Sequence, residues 1–320
     1  MAQLAGTTDT YDSKGIREDL QDKIYMINKA DTPFISNIGR TKVDSTKHEW
    51  QLDTLAPADA NNAFPEGDEY TYADVNPPAR VGNYTQISRK TILISGTLEE
   101  VKKAGRSSEM KYQAMKKGLE LKKDQEVILL GSQASNAGAS AGATARRLGG
   151  FSAWLTTNVS RGAGGANGGF NSGTGLVAAP TAGTARAWTE GMLKDMQQAA
   201  YAAGGGPSMI MMPVAQKRVF SSFPGIAQNR RDTGDKAATI VAAADVYLGD
   251  FGRLATVPNR QMPNGSVLGI DPDYVELGYL RPMFVDKPAK TGDAWKTVMV
   301  AEYTLVVQNE AAHFGIFDLS

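Results

Sequence analysis

The sequence predicts an α+β fold, and three observations carry that prediction. Two stretches in the first third alternate apolar and polar residues with a period of two. A long helical stretch without proline follows them. Beyond it, helical and strand patterns alternate. The chain has 320 residues, enough for one large domain or two to three subdomains. Its 34 Lys and Arg balance its 34 Asp and Glu. A neutral chain exerts no broad electrostatic pull on nucleic acid, and low net charge favours self-association. Cysteine is absent, which removes disulfides, thiolate metal sites and cysteine nucleophiles together and fits a reducing cytoplasm. The first residues form neither a basic nor an apolar leader, and no apolar run reaches the length of a membrane span.

Residues 1–42 read as an arm. Ile16, Leu20, Ile24 and Ile27 fall at helical spacing, and Thr32-Pro33-Phe34 stops the pattern because proline disfavours helix at the preceding residue. Residues 43–96 read as a long hairpin. His48, Trp50 and Leu52 lie on one face outbound; Val81, Asn83, Thr85 and Ile87 lie on one face of the return, which continues through Ile94. Its acids Glu49, Asp53, Asp59, Glu66, Asp68, Glu69 and Asp74 are met by no Lys or Arg between His48 and Ala79. Residues 97–131 read as one helix opened by a Thr97–Glu100 capping box, with Gly105 bending its start. Met110, Ala114, Gly118, Leu121, Gln125 and Ile128 form its apolar stripe, and Lys116–Glu120 and Lys122–Glu126 stand at ion-pair spacing.

Residues 132–187 are rich in Gly, Ala, Ser and Thr and hold no acid; most of this segment reads as loop, anchored by Phe151, Trp154 and Leu155. Residues 188–290 alternate helix and strand. Thr189 caps a helix ended by Gly204-Gly205-Gly206, and Met209–Met212 forms a buried strand. Short strands follow at Val246–Leu248, Leu254–Val257, Val267–Ile270, Tyr274–Leu280 and Met283–Val285. Residues 291–320 close the chain with strands over Trp295–Val307 and His313–Leu319.

Chemistry-bearing patterns are missing. His48 and His313 are the only histidines, and neither HExxH, CxxC nor a phosphate-binding GxxxxGK[ST] occurs. The glycines from Gly162 to Gly175 read as flexible chain, Asp271-Pro272-Asp273 as a turn, and the lysine face of the helix as solvated or in subunit contact. An α/β hydrolase-like enzyme would fit the composition, but no nucleophile–base set supports it. A surface adhesin would lack its export signal.

The order of elements (arm, acidic hairpin, capped helix, α/β body, returning strand pair) resembles the Hong Kong 97-like capsid fold of tailed bacteriophages. Local phrases match it along residues 30–318. They are Asp31-Thr32-Pro33-Phe34, Gly82-Asn83-Tyr84-Thr85-Gln86, Ser95-Gly96-Thr97 and Arg147-Leu148-Gly149-Gly150-Phe151. Ala244-Asp245-Val246-Tyr247, Gly249-Asp250-Phe251-Gly252 and Asp271-Pro272-Asp273-Tyr274 follow in order. Ala289-Lys290-Thr291-Gly292-Asp293, Glu302-Tyr303-Thr304-Leu305 and Asn309-Glu310-Ala311-Ala312-His313 complete the set.

The resemblance implies a major capsid protein, not an enzyme, with no cofactor. Its parts would be an N-arm (1–42), an E-loop (43–96), a spine helix in the P-domain (97–131), a Gly-rich insertion (132–187), an A-domain (188–290) and closing P-domain strands (291–320). It would assemble in the host bacterial cytoplasm into the virion, as hexamers and pentamers. Its other partners would be a portal, a separate scaffolding protein, a decoration protein and, weakly, packaged DNA. An encapsulin-type compartment shares the fold and is the alternative. No lysine lies between His48 and Ala79, which speaks against isopeptide crosslinking there. Candidate subunit contacts pair Glu66, Asp68, Glu69 and Asp74 with Arg146, Arg147 and Arg161, or with Lys102, Lys103 and Arg106.

Overall fold

A computed structural model describes residues 31–70, 72, 74–75, 77–223 and 246–320. The helix expected through Ile16, Leu20, Ile24 and Ile27, and the Ala244-Asp245 pair, lie outside them. The described chain starts with a short helix, α1 (Pro33–Asn37), whose first position is the proline, where a missing N–H costs nothing. It continues as β1 (Gly39–Lys42) into a hairpin of β2 (Lys47–Leu52) and β3 (Ala79–Tyr84). His48 stands opposite Asn83, Trp50 opposite Val81 and Leu52 opposite Ala79, as the alternation requires. The return run, however, leaves the hairpin at Thr85. β4 (Gln86–Ser95) crosses into a different sheet. The period of two runs on through Ile94 because each strand buries one face, each against its own partner.

The spine is divided where a single helix was expected. Ser95 caps a five-residue helix, α2 (Gly96–Glu100), by accepting the Leu98 N–H at 3.3 Å. Gly105, at φ +73, then redirects the chain through a conformation that disfavours side chains. Ser108 caps the long helix α3 (Glu109–Leu130) by accepting the Lys111 N–H at 3.2 Å. Glu99, a residue of α2, serves the second helix. Its carboxylate accepts from Ser108 Oγ at 2.5 Å and from the Glu109 and Met110 N–H groups at 3.0 and 3.3 Å. These bonds, led by the Ser108 hydroxyl, hold its pKa below the ordinary value. The expected Lys116–Glu120 and Lys122–Glu126 pairs do not form. Glu120 pairs with Lys117 at 2.7 Å, and Glu126 is fully buried.

The Gly-rich segment contains more structure than expected: α4 (Phe151–Trp154), β5 (Val159–Ser160) and a small hairpin of β6 (Gly169–Asn171) and β7 (Leu176–Ala178). Its glycines allow backbones to touch. A Cβ on Gly162 would lie 2.0 Å from the Thr184 carbonyl oxygen. The body follows with α5 (Glu190–Ala202), β8 (Met209–Met212), α6 (Val214–Phe220), β9 (Val246–Gly249), β10 (Gly252–Pro258) and β11 (Val267–Ile270). Two long strands, β12 (Val275–Asp286) and β13 (Ala294–Val307), precede the short β14 (Phe314–Ile316). The separate strands expected at Tyr274–Leu280 and Met283–Val285 are one strand, β12. Its register shifts on both sides of Arg281, which places Pro282, with no N–H to donate, in the irregular stretch. The strand expected over His313–Leu319 stops at Ile316, and Asp318 adopts φ +58.

The four-stranded sheet runs β1-β12-β13-β4, and α3 lies against it through the Lys90–Asp124 pair at 2.5 Å and Met299, which faces Gly118. The six-stranded sheet runs β5-β14-β11-β8-β10-β9. Every residue of β8 is buried, and its alternation explains why. Met209 and Met211 join one core with Leu121, Leu129, Phe151 and Leu305. Ile210 and Met212 join a second core with Leu193, Phe220, Leu254 and Phe314. A strand with apolar cores on both faces must read as a continuous apolar run.

Candidate assembly surface

Among the described residues of the connection between β2 and β3, 53–78, none belongs to a helix or strand. Hairpin loops of about two to five residues are the norm, and much longer ones are chiefly functional. This one is exposed where an isolated chain would hide its side chains. Leu55 is 98% exposed, Tyr72 93% and Val75 91%, with Phe64 and Tyr70 also exposed. Glu66, Asp68, Glu69 and Asp74 are exposed as well, and among the described residues none of them forms an ion pair. A turn, with the Asp68 N–H donating to the Pro65 carbonyl at 3.3 Å, presents three of these acids within four residues. Glu49 is a different case. It sits at the loop's base, paired with Lys47 at 2.9 Å and with Arg80, and the Lys47 bond leads in holding its pKa below the ordinary value.

That base is rigid. Trp50 packs on Trp154, which stacks on Phe170, with ring centroids 5.5 and 5.9 Å apart. Asn83, fully buried, donates to the Gly149 and Leu305 carbonyls at 3.1 and 2.9 Å and accepts the Gly149 N–H at 2.9 Å. Glu302, also buried, accepts from Thr85 Oγ1 at 3.0 Å, from Arg281 Nε at 2.8 Å and from Arg146. The exposed loop therefore projects from a fixed joint. Neither Asn83 nor Glu302 was assigned a role from sequence. The available signal was a polar residue within an otherwise buried strand run, as Glu302 is in Ala301–Val307.

The basic candidates divide. Arg146 is spent on Glu302 and on the Thr85 carbonyl, 2.8 Å away. Lys103 donates to the Glu99 and Val101 carbonyls, and Arg106 pairs with Glu109. Lys102 and Arg147 are exposed. Arg161 is half-buried: its guanidinium lies 4.1 Å from the Phe317 ring centre and Nε donates to Asn167 at 2.8 Å. Burial lowers its pKa, with the charge of Asp318 acting against that.

Among the described residues no group of His, Asp and Glu could hold a metal ion, and no helix is long and apolar enough to cross a membrane. His313 is a core residue. It is fully buried, its Nδ1 accepts the Asp271 N–H at 3.1 Å, and its ring meets Phe151 edge-on at 5.2 Å. Burial pushes its pKa down to about 3. The unfolded chain therefore takes up a proton at this residue that the folded chain refuses. Its contribution to stability is complete above the unfolded value of about 6.5 and falls as pH drops toward 3. Urea titrations between pH 7 and 4 are expected to show this loss in the native chain and a shallower one in His313→Leu. Equal slopes would contradict the assignment.

Comparison with known proteins bears on this geometry. Residues 3–320 match the family described as SU10 major capsid protein. The chain belongs to that family. A major capsid protein of Escherichia phage Phieco32 is 38% identical over 125 residues, covering 39% of this chain and 36% of that one. The match thus spans about a third of that capsid protein's length. Solved structures give the fold. The Cyanophage A-1(L) capsid asymmetric unit matches with TM-score 0.67 at 11% identity over 99% of both chains. A structure from Gordonia phage Cozz matches with TM-score 0.61 at 13% identity over 99% of this chain and 97% of its own. Phage G gp27 major capsid proteins and gp26 decoration proteins match with TM-score 0.58 at 8% identity over the whole of both chains. The fold of this capsid family member is Hong Kong 97-like.

Proposed function

We propose that copies of this chain build the icosahedral head of a tailed phage, in hexamers and pentamers, by laying residues 53–78 of each copy over a neighbour. One observation carries the reading: a long loop whose apolar and acidic side chains are exposed, held out on a rigid base. Exposed apolar groups in this number mark an interaction surface. A carboxylate cluster without local counter-charge then sets register more than affinity, since each exposed pair contributes only about 0–1 kcal/mol. Neutral net charge lets identical subunits approach one another. A projecting loop on a rigid body also suits a subunit that must make both fivefold and sixfold contacts.

Family membership supports a phage shell over an encapsulin-type compartment. The portal, a separate scaffolding protein, a decoration protein, weak contact with packaged DNA and assembly in the bacterial cytoplasm belong to the same proposal. Reversing charge at Glu66, Asp68 and Glu69 together is expected to block or misdirect assembly in sedimentation and electron microscopy, with the thermal unfolding of the subunit unchanged. Normal shells from the triple variant would contradict the docking role of the loop.

A further inference from the structure

The dipeptide Asn-Gly occurs twice, at Asn167-Gly168 and at Asn264-Gly265. In this pairing the asparagine amide is open to attack by the next backbone nitrogen, because glycine has no Cβ to crowd the approach. The fold treats the two pairs differently. At Asn167 both ends of the amide are held: Oδ1 accepts from Arg161 Nε at 2.8 Å, and Nδ2 donates to the Thr156 carbonyl at 2.9 Å. Gly168 is wedged between backbones, where a Cβ would lie 2.2 Å from the Ala178 carbonyl oxygen. Asn264 instead stands exposed in a turn of the connection between β10 and β11. Among the described residues its side-chain amide makes no hydrogen bond, and neither does the Gly265 N–H. Nucleophile and electrophile are both free there, and water has access.

We propose that Asn264 is a site of spontaneous covalent modification. The Gly265 nitrogen attacks Cγ of Asn264, its proton and the side-chain nitrogen leave as ammonia, and a succinimide ring closes. Water then opens the ring at either carbonyl. One opening gives aspartate; the other gives isoaspartate, with the backbone rerouted through the former side chain. Water is the only other reactant. What the turn holds gives the change its consequence. The Gly265 carbonyl accepts the Leu319 N–H at 3.0 Å, and Ser266 Oγ donates to the Pro263 carbonyl at 2.6 Å. Isoaspartate lengthens the backbone by one atom immediately before Gly265, which displaces the acceptor of the Leu319 bond. The C-terminal end then keeps its other ties, the Ser320 N–H to the Arg186 carbonyl at 2.9 Å and the Arg186 N–H to the Asp318 carbonyl at 2.8 Å. Conversion therefore adds a negative charge to a formally neutral chain and loosens one bond of its C-terminal seam with age.

Trypsin separates the two sites. Residues 162–186 carry Asn167, and residues 261–290 carry Asn264 as their only asparagine. The purified full-length chain, held folded at mildly alkaline pH and sampled by mass spectrometry over days, is expected to convert at one of them. The 261–290 peptide gains the mass of an amide-to-acid exchange and splits into aspartate and isoaspartate forms, while the 162–186 peptide stays as it was. In urea both peptides are expected to convert, because unfolding releases Asn167 from Arg161 and Thr156. Asn264→Gln is expected to abolish the gain in the 261–290 peptide with the melting temperature unchanged. Hydrogen exchange at the C-terminal residues is expected to rise with the converted fraction. A 261–290 peptide that keeps its mass in the folded chain while converting in urea would overturn the proposal. Equal conversion of the two peptides in the folded chain would overturn the selection by structure, and unchanged exchange in the isoaspartate form would overturn the loosening.

Discussion

Replacing Glu302 with alanine is expected to destabilise the subunit by about 3–5 kcal/mol, the range for removing one partner from a buried ionic cluster. Glu302 is buried between two guanidinium groups, and they differ in what they lose. Arg281 is about half exposed and recovers water. Arg146 is mostly enclosed and keeps only its bond to the Thr85 carbonyl. Urea denaturation followed by tryptophan fluorescence measures the loss. Glu302→Leu combined with Arg146→Met is expected to restore part of it, because neutral groups of similar size need no partner. A loss below about 1 kcal/mol in the single variant would show that the cluster does not hold the joint. Since Thr85 marks the passage from hairpin to sheet, the same variant is expected to increase hydrogen exchange in β3 and β4.

The second large effect is expected at Glu126. Its carboxylate is fully buried and accepts from the Phe34 and Ile35 N–H groups at 2.7 and 3.0 Å and from Asn259 Nδ2 at 2.7 Å. One side chain thus joins the start of α1, the spine and the turn after β10. Glu126→Leu leaves the Phe34 and Ile35 N–H groups unpaired and Asn259 Nδ2 with only the weak acceptor Met211 Sδ at 3.3 Å; at about 1–3 kcal/mol for each unpaired group, a loss of at least about 2 kcal/mol is expected. Burial raises the Glu126 pKa above its ordinary value, with the three donated hydrogen bonds acting against it. A carboxyl raised in this way favours the folded state below its unfolded value, and that contribution is lost as pH rises through the folded value. Glu126→Gln lacks this dependence. Its deficit relative to the native chain is therefore expected to widen as pH falls from 7 to 4.5, and the effect of His313 cancels in the comparison. A constant deficit across that range would contradict a raised pKa.

These two sites show where sequence was legible and where it was not. Strand period and helix length depend on local order, so β2, β3, β8 and the body of α3 could be read directly. Gly105 was readable as a break, but not that the helix beyond it takes its own cap from Ser108 and Glu99, because that pairing is made across a turn. Glu126 looked like a surface partner for Lys122 at ideal spacing. Its actual partners lie more than 90 residues away in each direction, which no local pattern reveals. The glycines of residues 162–175 looked like slack chain because composition cannot tell flexibility from close approach of backbones. At the candidate surface, the acids of the loop were visible as a run without counter-charge. Which cations remain free depended on tertiary pairing, and it removed Arg146, Lys103 and Arg106 from the free set.

Single-particle electron microscopy of the assembled particle tests the docking of the loop most directly. In a shell built as proposed, density for residues 53–78 of each copy crosses onto a neighbouring copy, with the Glu66–Glu69 turn seated against it. A closed shell in which that loop lies back on its own subunit, or stands free in solvent, would contradict the proposal.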